Sequence, residues 1–349
     1  MNLRQAVTIE DVARDAGVSR QTVSRVINNG PNVREAVRDR VRKTIERLGY
    51  VPNLSARRMG GNRSYLILAV NDRARTIENW RAGRGNDWVD QMLFGGMTAC
   101  EAQGYRMIFE LIDTRPDVAM RQLSEVTSSL RPDGVILTPP HSESTELVAL
   151  LAGRGIPCAR VGATTGRATV DVSMGESAAA EEATRHLIEL GHRRIAFLAG
   201  PPEYANSRLR IAGFEQAMRD AGLTVDGEAI GHGNFHFDDA ARESEAMLTR
   251  TAPPSAIIAE NDEMAFAALH VADRLGIGVP HQLSIISFED TPGVRFSVPP
   301  LTAIRQPTAE MIGAACENLI RISKNEADYA SHRLPYRLIV RATTGRWQP

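Results

Sequence analysis

The sequence predicts an α/β protein: a small helical head, then a two-lobed core built on parallel sheets. Three observations predict it. Residues 1–61 place apolar side chains at helical spacing, with capping residues and glycine at the joints. From Ser64 the pattern changes to short apolar runs alternating with amphipathic stretches, as in strand-helix-strand units. Charge divides at the same place: residues 1–61 hold twelve Lys/Arg against six Asp/Glu, a balance of +6, while the other 288 residues hold 29 against 36 and carry −7. The overall net charge of −1 hides a basic head on an acidic body.

The head begins with Thr8 and Asp11 in a capping-box arrangement. Ile9, Val12, Ala13 and Ala16 then share one helical face, and Gly17 supplies the left-handed turn. Ser19 caps a second helix from Arg20 to Asn28, with Val23, Val26 and Ile27 facing inward and Gln21, Ser24, Arg25 and Asn28 opposite. Small residues at 13 and 17 let the two helices cross tightly, giving a helix-turn-helix whose polar face is free to enter a DNA major groove. A helix pair of this kind can also be plain helical core. The face here carries Arg and Gln, which pair with guanine and adenine edges, and its +6 balance suits a phosphate backbone. Val37, Val41, Ile45 and Leu48 give a third helix that closes the small core, and Pro52 ends it. Asn53 can cap a short helix from Leu54 to Met59, ahead of Gly60 and Gly61. A helix so short is marginal alone and needs an outside partner to fold.

In the body, buried strands are expected at residues 65–70, 105–111, 134–138, 157–162, 194–200, 256–261, 283–288 and 302–306, with a last strand near 336–341. Helices at 95–103, 178–190 and 211–221 alternate with them, and crossovers near 163–170 and 306 would divide the series into two lobes around a cleft. Ligands of such sheets collect at the carboxyl ends of strands. Asp72, Asn261, Asp262, Glu289 and Asp290 stand at those ends, and Ser207, Arg208 and Arg210 open the helix after strand 194–200. Carboxylates, an amide and a guanidinium facing one cleft can fix the hydroxyls of a small polar ligand. The plainer reading of some, Ser207 and Asp290 among them, is helix capping. Trp80, Trp88, Phe235 and Phe237 are candidates for stacking on a sugar face. The segment 73–89, with four arginines and two tryptophans, reads as a long loop, either a lid or a solvated excursion.

Catalytic chemistry is not evident. The chain has no G-x-S-x-G elbow, no Walker loop and no G-x-G-x-x-G after a strand. His141, Ser142 and Glu143 imitate the H-x-E of zinc deaminases without the P-C-x-x-C that would complete the site. His186, His192, His232, His236 and His270 lack metal-gathering spacing, and Cys100, Cys158 and Cys316 read as buried thiols. Neither catalytic residues nor a metal nor a cofactor is expected. The chain has no apolar signal stretch and no run approaching the ~20 apolar residues of a membrane span, so a cytoplasmic protein without membrane contact is expected.

The stretches TIEDVARDAGVSRQTVSRVINN, RVRKTIERLGYVPNLSARRM, HLIELGHRRIAFLAGP, AENDEMA and FEDTPGVRFSVPPLTAIRQP resemble the LacI/GalR family of bacterial transcriptional repressors, over nearly the whole chain. The resemblance implies a DNA-binding head and hinge helix at 1–61 and a core like that of periplasmic sugar-binding proteins. Its lobes would be 62–165 with 307–332, and 166–306 with 333–349. Arg20, Gln21 and Arg25 match the family's recognition positions, within a DNA-contacting set that adds Thr8, Ser19, Thr22, Ser24 and Asn28. Asn53, Ala56 and Met59 match its hinge, with Arg57 on the flanking phosphates. Arg210, Asn261 and Glu289 match its effector positions, and Asp72 matches less closely. Three features depart from the pattern: Met59 in place of the usual Leu, Gly175 in place of an acidic residue (with Glu176 next), and the extended segment after Asp72. The expected function is a homodimer, with a tetramer left open, that represses from a near-palindromic double-stranded operator. A small effector would control it, by default a sugar, with an acidic sugar suggested by the arginines. An activator or co-repressor-dependent regulator is the alternative. The +6 head argues against a simple solute-binding protein, and the missing catalytic motifs argue against a fused enzyme.

Overall fold

A computed structural model describes residues 7–27, 30–50, 63–83, 87–162 and 169–348. It divides into two units, Met1–Tyr65 and Leu66–Pro349. The expected helix at 54–59, residue Asn28 and most of the anticipated crossover near 163–170 lie outside the described residues.

In the first unit, α1 (Ile9–Ala16), α2 (Arg20–Ile27) and α3 (Glu35–Leu48) enclose Val12, Ala16, Val23, Val26, Val41 and Tyr50. The local chemistry is as the sequence predicts. Thr8 Oγ1 accepts from the Asp11 N–H at 3.3 Å, and the Asp11 carboxylate accepts from the Thr8 N–H at 3.0 Å. Gly17 sits at φ +62°, where its N–H and that of Val18 close the end of α1. Ser19 Oγ accepts from the Thr22 N–H at 3.1 Å. Arg47 pairs with Asp15, tying α3 to the end of α1.

The second unit contains two six-stranded sheets. The first comprises β1 (Leu66–Asp72), β2 (Arg106–Ile112), β3 (Gly134–Leu137), β4 (Cys158–Val161), β5 (Val170–Ser173) and β11 (Ser331–Arg333), ordered β11-β5-β4-β3-β1-β2 and parallel throughout. The second comprises β6 (Ile195–Ala199), β7 (Ile230–His232), β8 (Ala256–Ala259), β9 (Ser284–Glu289), β10 (Thr302–Arg305) and β12 (Arg337–Ile339), ordered β12-β10-β9-β8-β6-β7. Only β12 runs antiparallel to its neighbour. Strand order reverses at β1 in one sheet and at β6 in the other, so each lobe has a switch point where a crevice opens at the carboxyl ends.

Two expectations are corrected. The lobe boundary placed at 165/166 falls ahead of β5, yet β5 pairs with β4 and β11 in the first sheet. The first lobe therefore runs through Ser173 and returns for α12 (Thr308–Ser323) and β11 up to Arg333, not 332. The segment after Asp72 is not a loop: Arg73–Arg81 forms a helix, α4, and Asp87–Ala102 forms α5, so Trp88 is helical. Asp72 starts α4 by accepting from the Arg75 N–H at 3.2 Å, and the Thr76 hydroxyl bonds the Asp72 carbonyl at 2.6 Å.

The lobes are completed by α6 (Pro116–Leu130) and α7 (Thr145–Gly153) in the first, and by α8 (Glu176–Glu189), α9 (Ala205–Asp220), α10 (Phe237–Leu248) and α11 (Asp262–Arg274) in the second. Leu68, Val70, Leu123, Val135, Leu137 and Leu151 centre the first core; Leu198, Ile257, Met264, Val271 and Ile285 centre the second. Helix pairs cross closely in both. A Cβ on Gly95 would lie 2.0 Å from the Ala309 carbonyl oxygen, and one on Gly213 would lie 2.1 Å from that of Ser177. Cys100, Cys158 and Cys316 are free and buried. No helix among the described residues is long and apolar enough to cross a membrane.

Candidate functional site

On α2 of the head, Arg20, Gln21 and Arg25 are all exposed, while Val23 and Val26 are buried beneath them. Arg20 pairs with Glu10 of α1 at 3.2 Å, which holds its guanidinium at the edge of the helix pair. Gln21 and Arg25 are one helical turn apart and share a face. Thr8, Ser19 and Thr22 are partly committed: their hydroxyls make the local caps, with Ser19 Oγ 2.9 Å from Thr22 Oγ1. Ser24 is half-buried on the same helix. Asn53, Ala56, Arg57 and Met59, like Asn28, lie outside the described residues.

In the core, strand ends from both lobes surround a cavity of about 400 Å³. All four residues singled out in the sequence, Asp72, Arg210, Asn261 and Glu289, line it. Two of them also cap helices. Asn261 Oδ1 accepts from the Met264 N–H at 2.8 Å, and its Nδ2 donates to the Phe235 carbonyl at 3.3 Å. Asp72, besides starting α4, accepts from the Tyr204 hydroxyl at 2.7 Å, a bond from one lobe to the other.

Arg210 is 2% exposed and pairs with Glu176, Nε to Oε2 at 2.6 Å. It also donates to the Glu260 carbonyl at 3.0 Å and lies 4.5 Å over the Phe288 ring. Burial disfavours its charge, but Glu176 and Glu260 outweigh that and hold the guanidinium protonated. Gly175, at φ +87°, precedes α8 and delivers Glu176 to this pairing, so Glu176 does not line the cavity. Glu289 and Asp290 both take left-handed backbone, φ +98° and +62°. Asp290 does not cap a helix: it is buried between Arg305 and Arg341 and anchors this strained corner. Burial, then the neighbouring Asp262, pushes the Glu289 carboxyl up to about 8.

Of the four aromatic candidates, Trp88, Phe235 and Phe237 line the cavity, and Trp80 does not. Trp88 is oriented by its indole N–H, which donates to Asn71 Oδ1 at 3.3 Å. Arg75 reaches across the cleft to the Asn234 carbonyl and lies 4.8 Å over the Phe235 ring. Glu143 makes another bridge, accepting from the Ala205 N–H at 2.7 Å and pairing with Arg208. Asp262, named with the other strand-end carboxylates, lines the cavity too, as do Tyr204 and Glu260, which were not singled out. Glu260 and Asp262 flank Asn261 at one strand end, which was the available signal. Nothing local marks Tyr204. Among the described residues no group of His, Cys, Asp and Glu could hold a metal ion.

Comparison with known proteins identifies both parts of the chain. Residues 8–53 match the profile of the bacterial regulatory proteins of the lacI family, and residues 184–344 match a periplasmic binding protein-like domain. The transcriptional regulator DegA of Bacillus subtilis is 33% identical over 97% of this chain and 98% of its own. The regulator CelR of Thermobifida fusca is 31% identical over 92% of each chain. A solved CelR–cellobiose complex superposes with a TM-score of 0.72 at 28% identity, covering 97% of this chain and 99% of that one. These relatives are DNA-binding regulators and not enzymes. With similarity of this extent, the chain belongs to the LacI family of helix-turn-helix transcriptional regulators.

Proposed function

We propose that the chain is a repressor that binds a near-palindromic operator as a homodimer and is controlled by a sugar or sugar derivative in the core cavity. The observation that carries this reading is the aromatic and polar cavity at the strand ends of a core joined to a basic head. CelR, a relative, has been solved with cellobiose, which favours a carbohydrate ligand. Arg20, Gln21 and Arg25 read base edges, Thr8, Ser19, Thr22, Ser24 and Asn28 support them at the backbone, and Asn53, Ala56, Arg57 and Met59 act at the operator centre. Asp72, Arg210, Asn261 and Glu289 bind the effector. Phe94 and Met97, one turn apart on α5 and 66% and 58% exposed, give the core an apolar surface suited to a second copy. A dimer matches the two-fold symmetry of the operator. Effector binding changes the lobe arrangement and thereby the order of the hinge, and a coupling of ~1–3 kcal/mol suffices for regulation. The protein works in the cytoplasm, where its DNA is.

The test is selection of duplexes from a random library by the full chain, then gel-shift titration of the winners with and without cellobiose and related sugars. Repression relieved by ligand gives weaker binding in its presence. Stronger binding would establish the co-repressor-dependent alternative, and failure to enrich any palindrome would refute the operator reading.

A further inference from the structure

The inner wall of the cavity holds more acid than its cations balance. Two arginines line it. Arg210 is already paired with Glu176 behind the wall. Arg75 is at the cleft bridge, over the Phe235 ring and bonded to the Asn234 carbonyl. Against them stand Glu260, Asp262 and Glu289 from adjacent strand ends of the second lobe, with Glu289 Oε2 3.4 Å from the Asp262 N–H. Asp87, at the start of α5 in the first lobe, faces Glu289 with a further like charge. Asp290, the other acid next to Glu289, is balanced by Arg305 and Arg341 and adds little to the excess.

Glu260 gives the second, independent sign. It is 1% exposed, and its Oε2 accepts from the Gly200 N–H at 3.0 Å and from the Ser207 hydroxyl. Its Oε1 is buried and has no hydrogen-bond partner. A buried carboxylate oxygen left without a donor is costly and is retained where a ligand completes it. The acidities agree with the geometry. Burial raises Glu260, burial and Asp262 raise Glu289, and burial raises Asp262 to about 6.

A neutral polyol can donate hydroxyls to these oxygens but supplies no charge to offset ionisation of the crowded carboxyls, of which Glu289 keeps its proton up to about 8. An ammonium supplies three donors and the missing positive charge together. Trp88, Phe237 and Phe266 also line the cavity, and aromatic rings favour a cation. An acidic sugar, the class the arginines suggest from sequence, meets a guanidinium already paired with Glu176 and flanked by Glu260 and Glu289.

We propose that the cavity takes a ligand bearing a protonated amine on a hydroxylated ring, an amino sugar in its simplest form, with the ammonium held by Glu260, Asp262 and Glu289. This rests on the reading of the cavity as the effector site. The test is calorimetric titration of the full chain with matched pairs: D-glucosamine against D-glucose, and the β-1,4-linked glucosamine disaccharide against cellobiose. N-acetyl-D-glucosamine serves as a control without charge. The amine of a pair binds at least about tenfold more tightly than its neutral partner, and its affinity rises as pH passes from about 6 toward about 8, the range in which Asp262 and Glu289 ionise. Glu260→Gln and Glu289→Gln each abolish the preference and raise the melting temperature of the unliganded protein by about 2–4 °C, because each relieves the crowded charge. A neutral sugar that binds as well as its amine overturns the inference while leaving the effector site in place. Absence of any amine binding, with neither variant melting higher, overturns it as well. Amine binding that leaves the operator titration unchanged supports the inference and instead refutes the effector reading beneath it.

Discussion

Removing the two halves of the Arg210–Glu176 pair should have unequal effects. Arg210→Met keeps the bulk over Phe288 but leaves Glu176, 5% exposed, with its carboxylate buried and unpaired. Breaking a buried pair this way costs about 3–5 kcal/mol. Glu176→Gln retains an acceptor for Arg210 Nε, and Glu260 and Glu289 remain near enough to balance the guanidinium. Its cost should be nearer the ~1–2 kcal/mol of one weakened charge-assisted hydrogen bond. The three tryptophans, Trp80, Trp88 and Trp347, all lie in the core unit, so urea unfolding followed by their fluorescence reads the core without the head. Arg210→Met should lower the urea midpoint by roughly 1–2 M at an unchanged slope, and Glu176→Gln by less than half of that. The double variant Arg210→Met with Glu176→Leu should recover most of the loss, since it leaves no orphan charge. Equal losses from the two single variants, or a greater loss from Glu176→Gln, would refute the picture of one guanidinium shared among several carboxylates.

Three other outcomes follow. The folded state holds the Glu289 proton up to about 8 against an ordinary 4.5, so the folded protein binds more protons in that window; unliganded stability should fall as pH rises from 4.5 to about 8, and Glu289→Gln should flatten the slope in thermal melts. Arg25→Ala should cost about 1–3 kcal/mol of operator-specific binding in gel shifts while salt-sensitive non-specific binding persists, and equal loss on all sequences would show that Arg25 contacts only phosphate. Gly17→Ala meets no neighbour within 4 Å but must hold φ +62°, so it should destabilise the isolated head by ~1–2 kcal/mol without abolishing its fold, as read by circular dichroism.

The helix-turn-helix was legible almost to the residue because its joints are local chemistry. Thr8 and Asp11, Gly17, and Ser19 with Thr22 act within three or four positions of one another, so their pattern survives without tertiary information. The central strands were legible for another reason: parallel strands buried on both faces appear as unbroken apolar runs such as Leu66–Val70 and Ala256–Ala259. What was missed lacks either signal. β11 is exposed at Ser331 and Arg333 and has no apolar run, and β5 spans only four residues. Helix Arg73–Arg81 buries only Thr76, so it shows no helical periodicity; Asp72 and the Asn71–Thr76 hydrogen bond fix it instead. At the cavity, the strand-end rule located Asp72, Asn261 and Glu289, but the bonds from Tyr204 to Asp72 and from Asn261 to the Phe235 carbonyl join distant positions and appear only in space. The partnership of Glu176 with Arg210 joins residues 34 positions apart and has no sequence signature.

The interleaving of the two lobes sets a schedule for biosynthesis. The head is complete once residue 65 has left the ribosome and the chain has cleared the exit tunnel. The first lobe cannot finish so early, because α12 and β11 must join β5 and its neighbours, and they are made 160 residues after Ser173. At about 5–20 residues per second this leaves its apolar sheet face uncovered for roughly 8–32 s. Most of the second lobe, all but β12 and the residues after it, is translated within that interval and can collapse first. The nascent chain therefore passes through a state with a finished head, a largely finished second lobe and a first lobe still lacking its final helix. Chaperone capture or aggregation should concentrate on that open sheet, and truncations before residue 333 should release chains whose head is intact but whose core is not.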